Sequence, residues 1–155
     1  MNRRRGQVPR KGLREDVTSE ELAWYAGFFD GEGCMAIYRT SDPLGGARVY
    51  AHFFCVNTNL RSIEKICNLY RKDSDVVIHR SVNARKPHWK PIYRVQIPQT
   101  LLLETISALL PYLTNKAPQA EVMLNYLITR YTKSIKMSDK VYNDYRDDIA
   151  RLKVA

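Results

Sequence analysis

The sequence predicts an α+β domain in which single helices alternate with pairs of antiparallel strands. Three observations lead to this fold class. A helix with a clear start signal opens the pattern, two pairs of short alternating segments contain turn residues, and further apolar helical repeats lie between and after them. With 155 residues, 45% of them hydrophobic, the chain is expected to form one domain with its own core. The predicted element order is αββαββα.

The first helix begins at a capping box. Thr18 stands at the N-cap and Glu21 follows three residues later, so that each side chain can accept a backbone N–H of the other residue. Val17 can pack on Leu22 as a hydrophobic staple. Glycines at 31 and 33 indicate where this helix ends.

A row of small residues runs along this helix. Ala23, Gly27 and Gly31 recur at every fourth position and leave one stripe almost without side-chain volume. The adjoining apolar face consists of Leu22, Tyr25, Ala26 and Phe29. A smooth stripe lets a second helix approach until the backbones touch. The flanking apolar burial that this needs in water can come from Trp24, Phe28 and Phe29.

Two carboxylates stand between glycines at the end of the helix. If two such helices cross at their glycines, Asp30 and Glu32 of each copy come close to those of the other. That arrangement can build a metal site at a symmetry axis. Taken alone, the segment Gly31 to Gly33 also fits an ordinary helix end that leads into a strand.

Residues 25–33, Tyr-Ala-Gly-Phe-Phe-Asp-Gly-Glu-Gly, resemble the signature helix of the LAGLIDADG homing endonucleases. One copy of the motif in so short a chain implies the homodimeric branch, with the motif helices packed at the dimer interface. The resemblance implies that Glu32 and the carbonyl group of Gly31 bind a divalent metal, Mg²⁺, and that Asp30 has a structural role. Glu32 departs from the commoner aspartate but keeps the oxygen ligand that a hard cation prefers. The implied interface residues are Ala23, Trp24, Gly27, Phe28 and Gly31.

The remaining elements follow in order. Strands are expected over 34–40 and 48–56 with a turn at 42–46, then a helix after 57–59, strands over 75–82 and 90–97 around a polar loop, and a helix over 100–110 that Pro111 ends. A further helix follows the linker 115–118, and a small surface helix is expected in the tail. We divide the chain into a basic, flexible arm (1–16), the endonuclease domain (17–135) and a helical tail (136–155).

One face of the strands mixes aromatic and hydrogen-bonding side chains, and basic residues lie in the second hairpin. Such a mixture suits contacts with base edges and phosphates, although an ordinary wet face is an equally simple reading. The resemblance implies a saddle of antiparallel strands in the major groove of double-stranded DNA. The candidate DNA-binding residues are Tyr38, Arg39, Arg48, Tyr50, His52, Phe54, His79, Arg80, Ser81, Arg85, Lys86, His88, Arg94 and Gln96.

Three further residues match the basic, polar pocket that the family keeps around its metals. By segment order Lys116 corresponds to the family's lysine, and Asn57 and Arg61 correspond more loosely to its amide and arginine. With Glu32 these are the candidate catalytic residues. Phosphodiester hydrolysis needs an activated water and neutralised phosphate charge, which metal-bound carboxylates can provide.

Composition restricts the class of partner. A formal charge of +9 suits a polyanion but does not distinguish DNA from RNA. Cys34, Cys55 and Cys67 lack metal-ligand spacing and are expected to be reduced. No apolar run has membrane-spanning length and no secretory signal opens the chain, so we expect an intracellular protein of a prokaryote or an organelle, without a small-molecule cofactor.

The function predicted from the resemblance is Mg²⁺-dependent cleavage of both DNA strands at a long, near-palindromic site by an intron-encoded homodimer. The first alternative keeps the fold without cutting DNA, as an intron RNA maturase or a DNA-binding regulator. The second is a structural RNA-binding protein in which the glycine stripe only joins two copies. Retention of Glu32 argues against a nuclease that has lost its activity, although a maturase can keep the acid as well.

Overall fold

A computed structural model describes residues 8–41, 43, 47–132 and 138–154, with the side chains of residues 47, 48 and 154 left out. Its elements are α1 (Ser19–Glu32), β1 (Gly33–Ser41), β2 (Ala47–Asn57), α2 (Leu60–Cys67), β3 (Ile78–Ser81), β4 (Ile92–Gln96), α3 (Leu102–Leu109), α4 (Ala117–Thr132) and α5 (Asp139–Val154). Short 3₁₀ turns precede and follow α3. The α+β class is confirmed, and α4 and α5 follow the αββαββα order as the two further helices expected from the sequence.

The strands form one antiparallel sheet in the order β1-β2-β4-β3. Alternation along the strands gives the sheet two different faces. Its inner face, which includes Met35, Ile37, Phe53 and Val95, is buried under the helices. Because cross-strand partners share a face, the register assigns the remaining strand residues to the outer face.

The helix α1 is fixed at both ends as the sequence predicts. Thr18 and Glu21 form the capping box, with the Glu21 N–H donating to the Thr18 hydroxyl at 3.2 Å and the Thr18 N–H donating to Glu21 Oε2 at 2.9 Å. Gly33 caps the other end. A methyl group on Gly33 would lie 2.2 Å from the Phe29 ring, so glycine is required where the chain leaves α1 for β1.

Residues 8–16, which the sequence predicted to be part of a flexible arm, are attached to the domain instead. The backbone N–H groups of Gly12 and Leu13 donate to Glu104 Oε1 at 2.9 and 2.8 Å. The Arg10 N–H donates to the Thr100 carbonyl at 2.9 Å, and Leu13 makes a β-bridge with Tyr70. These contacts correspond to an arm draped on the domain, and the sequence could not indicate them because the partners lie far along the chain. Residues 1–7 lie outside the described residues.

Two other expectations need adjustment, and a third is not tested. The strand predicted over 75–82 is limited to Ile78–Ser81, and Asp75 adopts the left-handed conformation with φ of 67°. The tail helix α5 has 16 residues and buries Ile149 in the main core, so it is part of the packing and no small surface helix. The turn predicted at 42–46 lies, apart from Pro43, outside the described residues.

Candidate nucleic-acid interface and acidic helix end

The small residues of α1 form an exposed stripe on the surface of the subunit. Ala23, Gly27 and Gly31 are all exposed, and a methyl group placed on either glycine meets no other atom within 4 Å. Tyr25 and Phe29, on the adjoining face, are buried in the core. We call the exposed row the α1 ridge. The sequence predicted both faces correctly from their spacing.

Two aromatic residues beside the α1 ridge are only partly covered. Trp24 and Phe28 stack with ring centroids 5.4 Å apart, and the Lys65 ammonium lies 4.0 Å from the centre of the Trp24 ring. Phe29, predicted as a third flanking residue, is completely buried and stacks on Phe53 at 4.0 Å. That prediction was wrong because Phe29 faces the subunit's own sheet.

The two acids at the end of α1 have different environments. Asp30 accepts backbone N–H groups of Thr114 and Lys116 at 2.8 and 2.9 Å, and the Lys116 ammonium donates to the Asp30 carbonyl. Asp30 therefore ties α1 to the start of α4, which fits the structural role implied by the resemblance. Glu32 is exposed. The carboxylate of Glu32 is thus the one free to act on a ligand.

The electrostatics at this helix end favour a bound cation. The last turn of α1 carries no basic residue, and the helix dipole places partial negative charge there. Glu32 and the carbonyl groups at the helix end are hard oxygen donors of the kind that Mg²⁺ and Ca²⁺ prefer. Within the described ranges, no group of three or more His, Cys, Asp or Glu side chains is placed to hold a metal ion.

The Lys116 ammonium reaches the end of α1, where it donates to the carbonyl of Asp30, two residues before Glu32. Burial raises the pKa of the Cys55 thiol to about 12, the charge of Lys116 opposes this rise, and Glu32 and Cys34 add to it. All three groups thus lie close enough to the Cys55 thiol for their charges to act on it. Lys116 is half-buried and lines a cavity beside Cys34.

The other two candidate catalytic residues, Asn57 and Arg61, lie on different elements of the fold. Asn57 ends β2, and its side chain accepts the N–H of Asn59 at 2.8 Å. Arg61 lies in the first turn of α2 and lines a groove with Trp24 and Glu21. Glu21 is in the first turn of α1 and Glu32 in the last, so the two residues are roughly 16 Å apart along the helix axis. The groove that Arg61 lines is therefore at the opposite end of α1 from Glu32.

The outer face of the sheet gathers most of the residues predicted to contact DNA. The cross-strand pairs are Tyr38 with Tyr50, Phe54 with Gln96, and His79 with Arg94. The predicted residues on this face are Tyr38, Tyr50, His52, Phe54, His79, Ser81, Arg94 and Gln96, together with the backbone position of Arg48.

Side chains on the outer face form an ordered polar and aromatic layer. The Arg94 guanidinium lies 3.7 Å from the centre of the Phe54 ring and donates to Gln96 Oε1 at 2.8 Å. His52 is 4.7 Å from the Tyr38 ring, and burial together with the Arg94 charge lowers the pKa of His52. His52 is therefore neutral at neutral pH and presents one donor and one acceptor.

Two predicted DNA contacts lie on the inner face of the sheet instead. Arg39 pairs across the strands with Val49 and forms an ion pair with Asp139 of α5 at 3.1 Å. Arg80 pairs with Tyr93 and shares the side of Val95. The prediction placed Arg39 with Tyr38 and left open which face Arg80 is on. Adjacent residues of a strand point to opposite faces, so Arg39 lies opposite Tyr38, and Arg80 lies opposite His79.

The loop between β3 and β4 carries the other three predicted contacts. Arg85, Lys86 and His88 are exposed. The prediction missed Trp89, whose side chain is 50% exposed and holds the Lys86 ammonium 4.2 Å from its ring centre. The signal was available, because a tryptophan in a polar hairpin loop has no core to enter. An exposed aromatic ring beside cations can stack on a base or sugar.

The described residues thus form a four-stranded antiparallel sheet that is preceded by a helix ending in glycines and two acids. Solved structures identify that fold as the one of the LAGLIDADG homing endonucleases. I-CvuI in complex with DNA is similar over 86% of this chain and 95% of its own, with 20% identity and a TM-score of 0.55. The resemblance inferred from residues 25–33 is confirmed at the level of the fold.

Two further structures show how the length of this chain relates to the fold. The archaeal intron-encoded I-Vdi141I, complexed with DNA, is similar over 88% of this chain and 98% of its own, with 15% identity and a TM-score of 0.50. I-GzeII, in complex with its DNA target, is similar over 90% of this chain but only 45% of its own, with 16% identity and a TM-score of 0.56. No protein-family model and no curated protein sequence matches the chain.

None of the described helices combines the length and the apolar character that crossing a membrane requires.

Proposed function

We propose that this protein is a site-specific, metal-dependent DNA endonuclease that acts as a homodimer. The single observation that carries the proposal is the geometry of α1, whose exposed ridge leads directly to an exposed carboxylate, Glu32. The fold, shared with proteins solved on DNA, supports the same proposal.

Dimerisation is supported by the α1 ridge. Gly27 and Gly31 leave room for a second backbone, and Trp24 and Phe28 retain apolar surface beside it. Two ridges crossing at their glycines place two Glu32 residues at one axis.

Glu32 of each copy, with the Gly31 carbonyl, would hold the divalent cation. Bound there, the cation would polarise the phosphate and lower the pKa of an attacking water. I-CvuI was crystallised with DNA in the presence of Mg, without cleavage, and also in the presence of Ca. Lys116, tied to Asp30 at the same helix end, would place positive charge beside the phosphate that carries the developing negative charge.

The outer face of the sheet would read the DNA sequence in the major groove. Arg94 and Gln96 can contact base edges, and the β3–β4 loop carries Arg85 and Lys86 within reach of phosphates. In the dimer the two sheets would contact related half-sites, which favours a near-palindromic target. We also propose an intron-encoded origin, the origin stated for the structurally similar I-Vdi141I.

The decisive experiment is cleavage of a plasmid pool that carries random inserts, with the full chain and Mg²⁺, followed by sequencing of the ends. Glu32→Gln is expected to reduce cleavage by at least about 100-fold, because it removes a direct metal ligand. Sedimentation is expected to show that the variant remains dimeric. Glu121→Gln, which changes an exposed glutamate on α4, is the matched control and is expected to cleave normally.

Two outcomes would overturn the proposal. Cleavage that survives Glu32→Gln would place the chemistry elsewhere. Absence of cleavage and of duplex binding, together with support of intron RNA splicing by the same preparation, would favour the maturase.

A further inference from the structure

The C-terminal helix α5 ends beside the acidic end of α1. We propose that Lys153, in the last turn of α5, binds a DNA phosphate next to the one at Glu32, in a phosphate subsite formed by the ends of α4 and α5. The inference rests on the proposed DNA-cleaving function and adds a phosphate-binding residue that the motif does not contain.

The helix α5 is packed against the rest of the subunit. Ile149 is 1% exposed and lies in the main core. The Tyr145 and Thr129 hydroxyl groups lie within hydrogen-bond distance at 3.2 Å, and Asp139 at the start of α5 pairs with Arg39 of β1. These contacts place the last turn of α5 near the beginning of β1.

A cavity of about 280 Å³ lies where α5, α4 and β1 meet. Its walls include Cys34, Lys116, Gln119 and Lys153. The Lys153 ammonium lies 3.6 Å from the Cys34 sulfur, and Cys34 follows Glu32 by two residues, about 7 Å of extended chain at most. Cys34 shares the outer face with Phe54, so the cavity borders the surface proposed to meet DNA.

The chemistry of the cavity suits an anion. Two ammonium groups line it, and among the described residues neither Lys116 nor Lys153 forms an ion pair, although the Lys116 ammonium also donates to the Asp30 carbonyl. The N-terminus of α4, a helix of 16 residues, adds partial positive charge.

A buried amide in the wall provides a second, independent sign of a ligand. Gln119 is 5% exposed, and its Oε1 has no hydrogen-bond partner. Unsatisfied buried polar atoms are rare in folded proteins, and a site for a water or ion is one explanation for them. A water bound to a phosphate in the cavity would supply a donor to Oε1. With the Gln119 amide turned by 180°, its NH₂ group would instead donate to a phosphate oxygen.

The test measures how salt affects binding of a mixed-sequence duplex to the full chain, with Ca²⁺ as the cation. Each lost phosphate contact lowers the slope of log affinity against log salt by about 0.9, so Lys153→Met should lower it by about 1.8 in a dimer. Lys153→Arg, which keeps the positive charge, should keep the slope of the wild type. Lys140→Met, an exposed lysine in the first turn of the same helix and roughly 20 Å from Lys153, should leave it unchanged.

A second measurement needs no variant and no DNA. The wild-type chain is acetylated with and without inorganic pyrophosphate, and modification of each lysine is measured by peptide mass spectrometry. Pyrophosphate should slow acetylation of Lys153 and Lys116 but not that of Lys140.

The outcomes separate this inference from the proposed function. If the wild type binds duplex DNA and Lys153→Met has the same salt slope, the subsite is wrong while the nuclease proposal stands. If the wild type neither binds nor cuts DNA, the nuclease proposal fails. Equal acetylation of Lys153 with and without pyrophosphate would then reject the subsite as well.

Discussion

Replacing Gly27 by alanine is expected to change the stability of the subunit and the affinity of the dimer in opposite directions. Gly27 lies in the middle of α1 and is exposed, and an added methyl group meets no atom of the subunit within 4 Å. Alanine favours a helix over glycine by about 1 kcal/mol, so the isolated subunit should gain about that much free energy of unfolding.

The dimer should lose affinity for the same reason that the subunit gains stability. If the two ridges touch through their glycines, each copy of Gly27→Ala adds a methyl group where backbones are in contact. Adding a carbon to a packed interface typically costs about 1–3 kcal/mol, equivalent to roughly 5- to 150-fold weaker association.

Sedimentation equilibrium over a dilution series gives the dimer affinity, and urea unfolding at concentrations below dimerisation gives subunit stability. Asn125→Ala is the matched control, because it raises helix propensity at an exposed position of α4. It should stabilise the subunit by up to about 0.7 kcal/mol without changing association. A Gly27→Ala dimer as tight as the wild type would refute the crossing of two ridges.

Three other predictions follow from the site. Asp30→Asn should lower the free energy of unfolding by about 1–3 kcal/mol, because it weakens the acceptors of two backbone N–H groups. Glu32→Gln should change it by less than about 0.5 kcal/mol. Urea titrations measure both changes. Burial raises the pKa of Cys55 to about 12, so the folded state keeps a thiol proton that the unfolded chain loses above pH 9. The free energy of unfolding should therefore fall as the pH rises from 9 to about 12, and it should fall less in Cys55→Ala. Tyr38→Ala should weaken duplex binding in a fluorescence titration, and Arg39→Ala, on the inner face, should weaken it less.

Each of these predictions has a result that contradicts it. A larger stability loss for the Glu32 variant than for the Asp30 variant would exchange their assigned roles. If the wild type and Cys55→Ala lose stability equally as the pH rises above 9, other groups, such as the buried tyrosines, cause that loss. A greater loss of DNA affinity for Arg39→Ala than for Tyr38→Ala would contradict DNA binding by the outer face of the sheet.

Local signals in the sequence were sufficient for α1 and for most of the sheet. The capping box, the small-residue stripe and the two-residue alternation of β2 each depend on neighbours within a few positions, and each is present as predicted. The same alternation, applied strictly to residues 38–40, would have put Arg39 on the side of Val49.

Features that depend on distant parts of the chain could not be predicted. The attachment of residues 8–16 requires Glu104, about 90 positions away, to accept two backbone N–H groups. The position of Lys153 beside Cys34 depends on how α5 packs across α4 and β1, which its weak amphipathic pattern does not indicate. Phe29 was assigned to the flank of the ridge because spacing alone does not decide between two adjacent apolar partners.

The most direct test of the central claim is a proximity measurement between the two copies of residue 32. Glu32→Cys is prepared with Cys34 and Cys67 replaced by serine and treated with a short bis-maleimide, with Glu121→Cys in the same background as the control. Two α1 ridges packed together predict rapid covalent dimerisation of Glu32→Cys and little of the control. If the Glu32→Cys protein is dimeric by sedimentation but cross-links no faster than the control, the two acids do not meet at the dimer axis.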